Sequence, residues 1–599
     1  MGSPRPWTTG SSDSQLAQPV KIATPLIPCR VRQQSHSGWQ PVDSKHLNIA
    51  DRLRTFAQIA GSQRAVVSPQ GKDSAGRVVY SHLTFEQLDR EADQIARGLV
   101  RLGIEPGMRL VLMVPPSLEF IALTFGIFRS GAICTLIDPG MGRSRIFACL
   151  DEIDPAGFCG IPPVHVLRRL MFRRFRRARL NVCVGRGSTL LGCRSYKDLI
   201  RLGTDESIGL PQTLSTDPAA IIFTSGSTGP PKGVLYEHGM FDAQVDLIQD
   251  RFGIEPGEVD LPGFPLFALF SLAMQVTTVI PEMNPTRPAD VDPEKILSAV
   301  RDQGVTQAFG SPAMWNQIGR YCEEHGVRLP TLRRVLSAGA PVPNHVLQRI
   351  TDALSDSSDI FTPYGATECL PVAVIGGREV LNSTALRTIN GAGTCVGRVF
   401  DQMRVKIIRV TFDPIVSLDL AKELSNGEIG EIIVRGPVVT REYYRRPGAT
   451  SLAKIADGNG FWHRMGDVGY VDDSGRLWFC GRKAHIVFTH DGPLYSVRCE
   501  SIFNQHVDVY RSALVGIGER GWQTPVIIVE PEKGRMPTSS GQSKTFEGEL
   551  LRLGAGNPLT SAVQTVLFRK VLPVDTRHNV KINREELAIW AVKQLAAVS

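Results

Sequence analysis

The sequence predicts an α/β protein: a large N-terminal domain of parallel and mixed sheets with covering helices, and a small α+β C-terminal domain. Three observations carry this. Short apolar runs alternate with helix-spaced segments from about residue 46 to 410, the pattern of a parallel sheet covered by helices. The chain has 599 residues, 42% of them hydrophobic, and is long enough for several cores. Its last stretch reads as three strands, 513–517, 525–530 and 566–571, followed by a helix from Arg584, a unit with its own pattern. The expected divisions are a disordered tail over 1–44, a large domain over 45–481 and a small one over 482–599.

In order, 49–60 is helical, and 64–67 and 78–83 are short strands around a turn. Thr84 caps a helix that runs to Leu99, with Gln87 three residues on to complete a capping box. A strand at 109–114, a helix at 117–128 and a strand at 133–137 follow, and 219–223 is a buried strand by length and β-branching. Strand-like 305–308 and 335–337 lead into Phe309-Gly-Ser-Pro312 and Ala338-Gly339-Ala340-Pro341. The small residues there leave room for a flat ring or a chain, or mark close helix–strand packing. Gly516-Ile-Gly-Glu-Arg-Gly521 is formally a dinucleotide fingerprint, but a strand rather than a helix is expected after it, so it is a decoy.

Composition narrows the function classes. The eleven cysteines are scattered without a Cys-x-x-Cys pair, so neither a disulfide framework nor a zinc site is indicated, and a reducing cytoplasm is expected. No run approaches the roughly 20 apolar residues of a membrane helix; the longest, 120–128, is closed by Arg129. The first 44 residues lack the apolar region of a secretory signal. The net charge of +8 is local, because seven arginines (Arg168, Arg169, Arg173, Arg174, Arg176, Arg177 and Arg179) supply most of it, so no nucleic-acid partner is expected. Leu167, Leu170, Met171, Phe175 and Ala178 recur among them at helical spacing, predicting an amphipathic basic helix over 167–180. Such a helix is either a solvated face over a core stripe or a docking surface for an anionic membrane or an acidic partner.

The chemistry centres on Phe223-Thr-Ser-Gly-Ser-Thr-Gly-Pro-Pro-Lys-Gly-Val234, directly after the buried strand. Gly226 and Gly229 let backbone N–H groups face an anion, Thr224, Ser225, Ser227 and Thr228 add hydroxyl donors, and Lys232 adds a compact charge. The segment therefore reads as a phosphate cradle. A Walker loop would need Gly-Lys-Ser/Thr, whereas Pro231 precedes Lys232 and Gly233 follows it. Phe361-Thr-Pro-Tyr-Gly-Ala-Thr-Glu368 places an aromatic, a turn glycine, a hydroxyl and a carboxylate together, a set suited to a base, a phosphate and a magnesium ion.

The cradle resembles the Thr-Ser-Gly-Ser-Thr-Gly-x-Pro-Lys-Gly signature of the adenylate-forming enzymes, the acyl-CoA synthetases, adenylation domains and luciferases. The resemblance covers roughly 46 to 595 in four ordered motifs. It implies ATP and Mg²⁺ as cofactors and assigns Thr224 to Gly229, Lys232, Gly339, Ala340, Tyr364, Gly365 and Thr367 to nucleotide contacts. Glu368 is implied to hold the metal. In Trp462-His-Arg-Met-Gly-Asp-Val-Gly-Tyr470 it implies that Asp467 grips the ribose, with Arg482 reaching ribose or phosphate. Lys581 matches the mobile lysine of a C-terminal domain that pivots after Arg482, so Thr224, Lys232, Glu368 and Lys581 are the implied catalytic set.

The hinge departs from the ligase pattern. Ala484 and His485 replace the usual acidic pair, and Phe488 stands where a lysine is usual. Phe264-Pro-Leu-Phe-Ala-Leu-Phe270, Met283-Asn-Pro-Thr-Arg-Pro288, Gly391-Ala-Gly-Thr-Cys-Val-Gly397 and Arg577-His-Asn579 are similar to the β-lactone synthetases of bacterial long-chain olefin biosynthesis. That implies adenylation of a 2-alkyl-3-hydroxy fatty acid followed by ring closure, with a channel near Phe264, Phe267, Phe270 and Met274, and other olefin-pathway enzymes as partners. A fatty-acyl-CoA or acyl-AMP ligase and a non-catalytic nucleotide- or lipid-binding scaffold are the alternatives.

Overall fold

The computed structural model describes residues 45–224, 230–574 and 582–596. The expectation of a tail over 1–44 lies outside them.

Two large sheets dominate. One has seven strands in the order Arg194–Ser195, Val182–Cys183, Gly157–Gly160, Arg109–Met113, Ile133–Leu136, Pro218–Phe223 and Gly233–Glu237. Every neighbouring pair is parallel except the last. The other is a fourteen-stranded sheet. Its centre sets Val259–Pro262, Gln307–Gly310, Arg334–Ser337 and Asp359–Ala366 side by side in parallel. It then turns antiparallel through Cys369–Gly376, Thr394–Val399, Leu477–Arg482 and Gly460–Val471. The turns that follow parallel neighbours all emerge at one sheet edge, which is where ligands bind in open α/β sheets. Three of the sequence motifs, around 310, 339 and 365, are thereby gathered.

Local signals set the covering helices. Thr84 and Gln87 form the capping box of Phe85–Arg101. Ser117 caps Leu118–Arg129, which is buried on every side from Phe120 onward. Arg129 ends that helix inside the protein, paired with Asp89 and donating to the Ala50 carbonyl at 3.2 Å, so its charge is compensated where it is buried.

The C-terminal residues form a separate three-stranded sheet, Val509–Ile517, Thr524–Pro531 and Thr565–Phe568, covered by Ser540–Ala555 and Arg584–Ala596. The glycines at 516–521 make the turn between its first two strands, with no helix opening on them. A buried clamp lies beside this boundary. Glu431 takes a bidentate Arg464 at 3.1 and 2.6 Å and Lys483 at 2.7 Å, fixing the residue next to Arg482.

The basic helix predicted over 167–180 is shorter than expected. The helix is Pro162–Leu170, and turns run from Met171 to Arg177. The apolar stripe splits: Phe175 and Ala178 turn into the core, Phe175 edge-on to Phe158 at 5.3 Å, while Leu170 stays 76% exposed. Arg174 and Arg177 bend back to Asp151 and Asp154, which a continuous helix would not direct them to do.

Candidate active site

The buried strand Pro218–Phe223 hands the chain to Thr224, and Phe223 pairs with Gly233 on the returning strand. The loop is closed at its base: the Thr224 N–H donates to the Lys232 carbonyl at 3.0 Å, and the Lys232 N–H donates to Thr224 Oγ1 at 3.3 Å. Gly233 has to be glycine, because a Cβ there would lie 2.9 Å from Ile221 Cγ2. Ser225, Gly226, Ser227, Thr228 and Gly229 lie outside the described residues.

Lys232 meets Glu368 through a residue the sequence did not single out. Tyr443 donates its phenol hydroxyl to Glu368 Oε1 at 2.7 Å, and Lys232 Nζ lies 4.8 Å from the centre of its ring. Burial and the neighbouring Glu368 carboxylate push the Tyr443 phenol well up, so it stays a donor. Its placement follows from backbone pairing. The Tyr444 N–H donates to the Gly233 carbonyl at 2.7 Å, and Val439 bridges to Cys369. Thr440 donates from both N–H and Oγ1 to the Glu368 carbonyl at 3.0 and 3.1 Å. The one sequence signal was an aromatic pair, Tyr443 and Tyr444, soon after an apolar strand.

The turn that carries Glu368 is held from behind. Tyr236 donates to the Thr367 carbonyl, and Gln244 Nε2 donates to the Leu370 carbonyl at 2.6 Å. A Cβ at Gly365 would come within 2.6 Å of the Cys369 carbonyl oxygen, so the tight approach requires glycine. Gly339, at φ +98°, makes the turn with Ala340 after Arg334–Ser337.

Tyr364, Asp467 and Arg482 form a second cluster. Asp467 sits opposite Arg482 in register, and its Oδ1 pairs with Arg482 Nη1 at 2.9 Å. Tyr364 donates its hydroxyl to Asp467 Oδ2 at 2.6 Å. Burial, with Asp467 beside it, raises the Tyr364 phenol, and Asp467 in turn raises Arg482. Each carboxylate oxygen keeps further lone pairs, so Asp467 can still accept ribose hydroxyls.

Lys581 lies outside the described residues. The described residues on either side of it are joined by the Val574–Ile582 bridge and by the Asn583 N–H on the Pro573 carbonyl at 2.8 Å. At the positions expected to form a hinge, burial beside Arg584 and Arg482 lowers His485 to about 3, and Phe488 packs edge-on to Phe412 at 6.0 Å. Spacing indicated no thiol cluster, yet His165, Cys183 and Cys193 bring ligand atoms within 4.8 Å of one another at the seven-stranded sheet's edge.

An apolar pocket adjoins the motif turns, lined by Phe267, Phe270, Met274, Phe309, Ala338 and Leu370. Phe264 packs on Phe267 at 5.9 Å but is not among the lining residues. Its floor holds Asp260, whose carboxyl is pushed up to about 7 by burial despite a hydrogen bond from Ser271 at 2.5 Å. Near neutral pH a large share of this group is uncharged, which suits an apolar lining.

The AMP-binding enzyme family matches residues 56–444. An olefin β-lactone synthetase of Xanthomonas campestris pv. campestris is 44% identical over 91% of this chain and 98% of its own. One of Stenotrophomonas maltophilia is 46% identical over 92% and 98%. Among solved structures, the amide bond synthetase McbA of Marinactinospora thermotolerans shares the fold with a TM-score of 0.72 at 22% identity, covering 91% of this chain and 99% of that one.

Two outcomes follow from this geometry. Tyr443→Phe removes a hydrogen bond to a charged group, worth about 1.5–3 kcal/mol, and should slow ATP–pyrophosphate exchange by roughly 10- to 100-fold. Asp260 titrates higher folded than unfolded, so its contribution to stability is full below its unfolded value of 3.8 and is lost as pH rises through about 7. Asp260→Asn should therefore gain in unfolding midpoint relative to the wild type as pH goes from 4 to 8, and a constant gap would contradict this.

Proposed function

This chain belongs to the AMP-binding enzyme family and is an AMP-forming ligase or synthetase, and we propose that it closes a long-chain 2-alkyl-3-hydroxy fatty acid to a β-lactone. The observation that carries this reading is the likeness, over about nine-tenths or more of both chains, to two proteins named olefin β-lactone synthetases.

In the first step the acid's carboxylate oxygen attacks the α-phosphorus of ATP, and the bond to pyrophosphate breaks. Thr224, Ser225, Gly226, Ser227, Thr228, Gly229 and Lys232 cradle the phosphates in this reading. Gly339, Ala340, Tyr364, Gly365 and Thr367 border the base, while Asp467 and Arg482 hold the ribose. Lys581 brings a point charge to the oxygens where negative charge develops. A magnesium ion fits Glu368, a hard oxygen donor whose Oε1 is oriented by Tyr443. Such an ion neutralises phosphate charge when bound.

In the second step the β-hydroxyl oxygen attacks the acyl carbon, the bond to AMP breaks, and the hydroxyl proton passes to solvent. The nucleophile is already part of the substrate, so its effective concentration is high without a thiol site. We assign residues 482–599 to a unit that pivots between the steps. A hinge with Ala484, His485 and Phe488 in place of an acidic pair and a lysine favours this over a CoA ligase.

The test is product analysis with ATP, Mg²⁺ and a 2-alkyl-3-hydroxy acid, with and without CoA. The expected products are β-lactone, AMP and pyrophosphate in the absence of CoA. A thioester formed only with CoA would replace this reading with the ligase.

The surface after Pro162–Leu170 supports docking on an anionic membrane. Leu170, Phe172 and Leu190 are 76%, 62% and 84% exposed beside the arginine cluster, and Arg173, Arg176 and Arg179 have no ion pair among the described residues. Apolar tips that insert and guanidinium groups that meet phosphates are the two parts such a surface needs. No helix among the described residues is long and apolar enough to cross a membrane. Replacing Leu170 and Phe172 by Ser and these three arginines by Gln should abolish sedimentation with anionic liposomes; undiminished sedimentation refutes the docking.

A further inference from the structure

At the edge of the seven-stranded sheet opposite Gly233–Glu237, three parts of the chain bring sulfur and imidazole together. His165 comes from the helix Pro162–Leu170, Cys183 from the strand Val182–Cys183, and Cys193 from the turn before Arg194–Ser195. One ligand atom from each lies within 4.8 Å of the other two, and no other group of His, Cys, Asp or Glu among the described residues does the same. We propose that these three side chains bind one zinc ion, with water in the fourth position of its tetrahedron.

The hydrogen bonding of the imidazole carries this. A carbonyl can only accept, so His165 Nε2, 2.9 Å from the Val182 oxygen, bears a proton. Nδ1 belongs to a fully buried residue and has no hydrogen-bond partner. A second proton there would bury a charge with nothing to compensate it, so Nδ1 keeps a lone pair, in line with the lowering of His165 by burial. Zinc-ligating histidines are held in this way: one N–H goes to a backbone carbonyl and the other nitrogen is left to bind.

The two sulfurs complete a set suited to zinc. Two thiolates and an imidazole favour a borderline-soft ion over magnesium or calcium, which take oxygen ligands. Burial keeps both thiols protonated in the absence of a metal, while Arg168 and Arg169 favour the thiolate at Cys193. Zinc binding breaks two S–H bonds, forms two Zn–S bonds and one Zn–N bond, and releases two protons to solvent. A dication and two thiolates sum to zero, so no net charge is buried. Cys193 is only partly buried, and water reaches the fourth position from its side.

The ion's role is structural, because the strand that follows Lys232 lies at the other edge of the sheet. It ties the helix to the turn that ends at Cys193. The helix already holds that turn by Arg168 Nη2 on the Leu191 carbonyl at 2.8 Å and Arg169 Nη1 on the Leu190 carbonyl at 3.2 Å. Cys193 donates from both N–H and Sγ to the Ser188 carbonyl, at 3.1 and 3.3 Å. When zinc takes the sulfur the second bond is given up, and the first keeps the turn closed.

The experiment titrates the full chain with Co²⁺ after EDTA treatment, in a reductant that carries no thiol, and then displaces the cobalt with Zn²⁺. The wild type should show thiolate-to-cobalt charge-transfer bands and the visible bands of a tetrahedral ion, saturating at about one equivalent and erased by zinc. Cys193→Ser should weaken this binding roughly 100-fold or more, beyond the 10–100-fold cost of losing an outer partner. It should also lose the rise in unfolding midpoint that zinc gives the wild type. A wild type without thiolate bands, or a variant that binds cobalt as the wild type does, overturns the site. Should Cys193→Ser not fold, alkylation of Cys193 in the wild type decides: zinc should slow it about tenfold or more, and equal labelling with and without zinc overturns the site.

Discussion

The candidate site depends on a clasp between two sheets. Lys232 comes from the seven-stranded sheet and Glu368 from the fourteen-stranded one, so neither sheet alone holds both. The segment 439–446 hydrogen-bonds to both, through Tyr444 to Gly233 on the edge strand of one and through Thr440 to Glu368 in the turn between two interior strands of the other. Tyr443 then joins the two side chains directly. Ion pairs secure the clasp at both ends: Arg441 reaches Glu237 at 2.9 Å, and Arg446 grips both Glu152 oxygens at 2.9 and 2.7 Å. Backbone pairing supplies position and the phenol supplies orientation, which is how a cation and a carboxylate reach one site without lengthening either strand.

Behind Glu368 the protein keeps a second, buried layer that works by being neutral. Lys454 donates to the Thr440 carbonyl and shares a hydrogen bond with His463 Nδ1 at 3.0 Å, and burial brings its pKa down to about 7. Burial also holds the His463 ring uncharged. Asp260 mirrors this in the apolar pocket, a carboxyl brought up to about 7 by burial. Both groups shed charge near neutral pH, since an unpaired buried charge costs far more than a neutral hydrogen-bonded one.

What the sequence made legible was local. The capping box at Thr84, the helix that begins near residue 117 and the strand before the cradle depend on residues a few positions apart or on local apolar runs. Tyr443 escaped because its importance arises from pairing with strands about 75 and 200 residues away, which no local pattern carries. The basic helix was overextended for a related reason: helical spacing continued to Ala178, but Phe175 found the core and Arg174 and Arg177 found Asp151 and Asp154. The His165, Cys183 and Cys193 cluster was invisible because tertiary packing brings it together: His165 reaches the Val182 carbonyl from its helix, and Cys183 pairs in register beside the strand that follows Cys193.

The residues at 484–488 and the substrate's own hydroxyl bear on the same step. An acyl adenylate is open to attack by any nucleophile that reaches its carbonyl, so the outcome is decided by which one is held there. Phe488 packs edge-on to Phe412 and lies under the Arg520 guanidinium at 5.6 Å, and burial keeps His485 neutral. A hydroxyl that the substrate itself carries starts at a high effective concentration and needs no acceptor site, so it becomes the nucleophile in place.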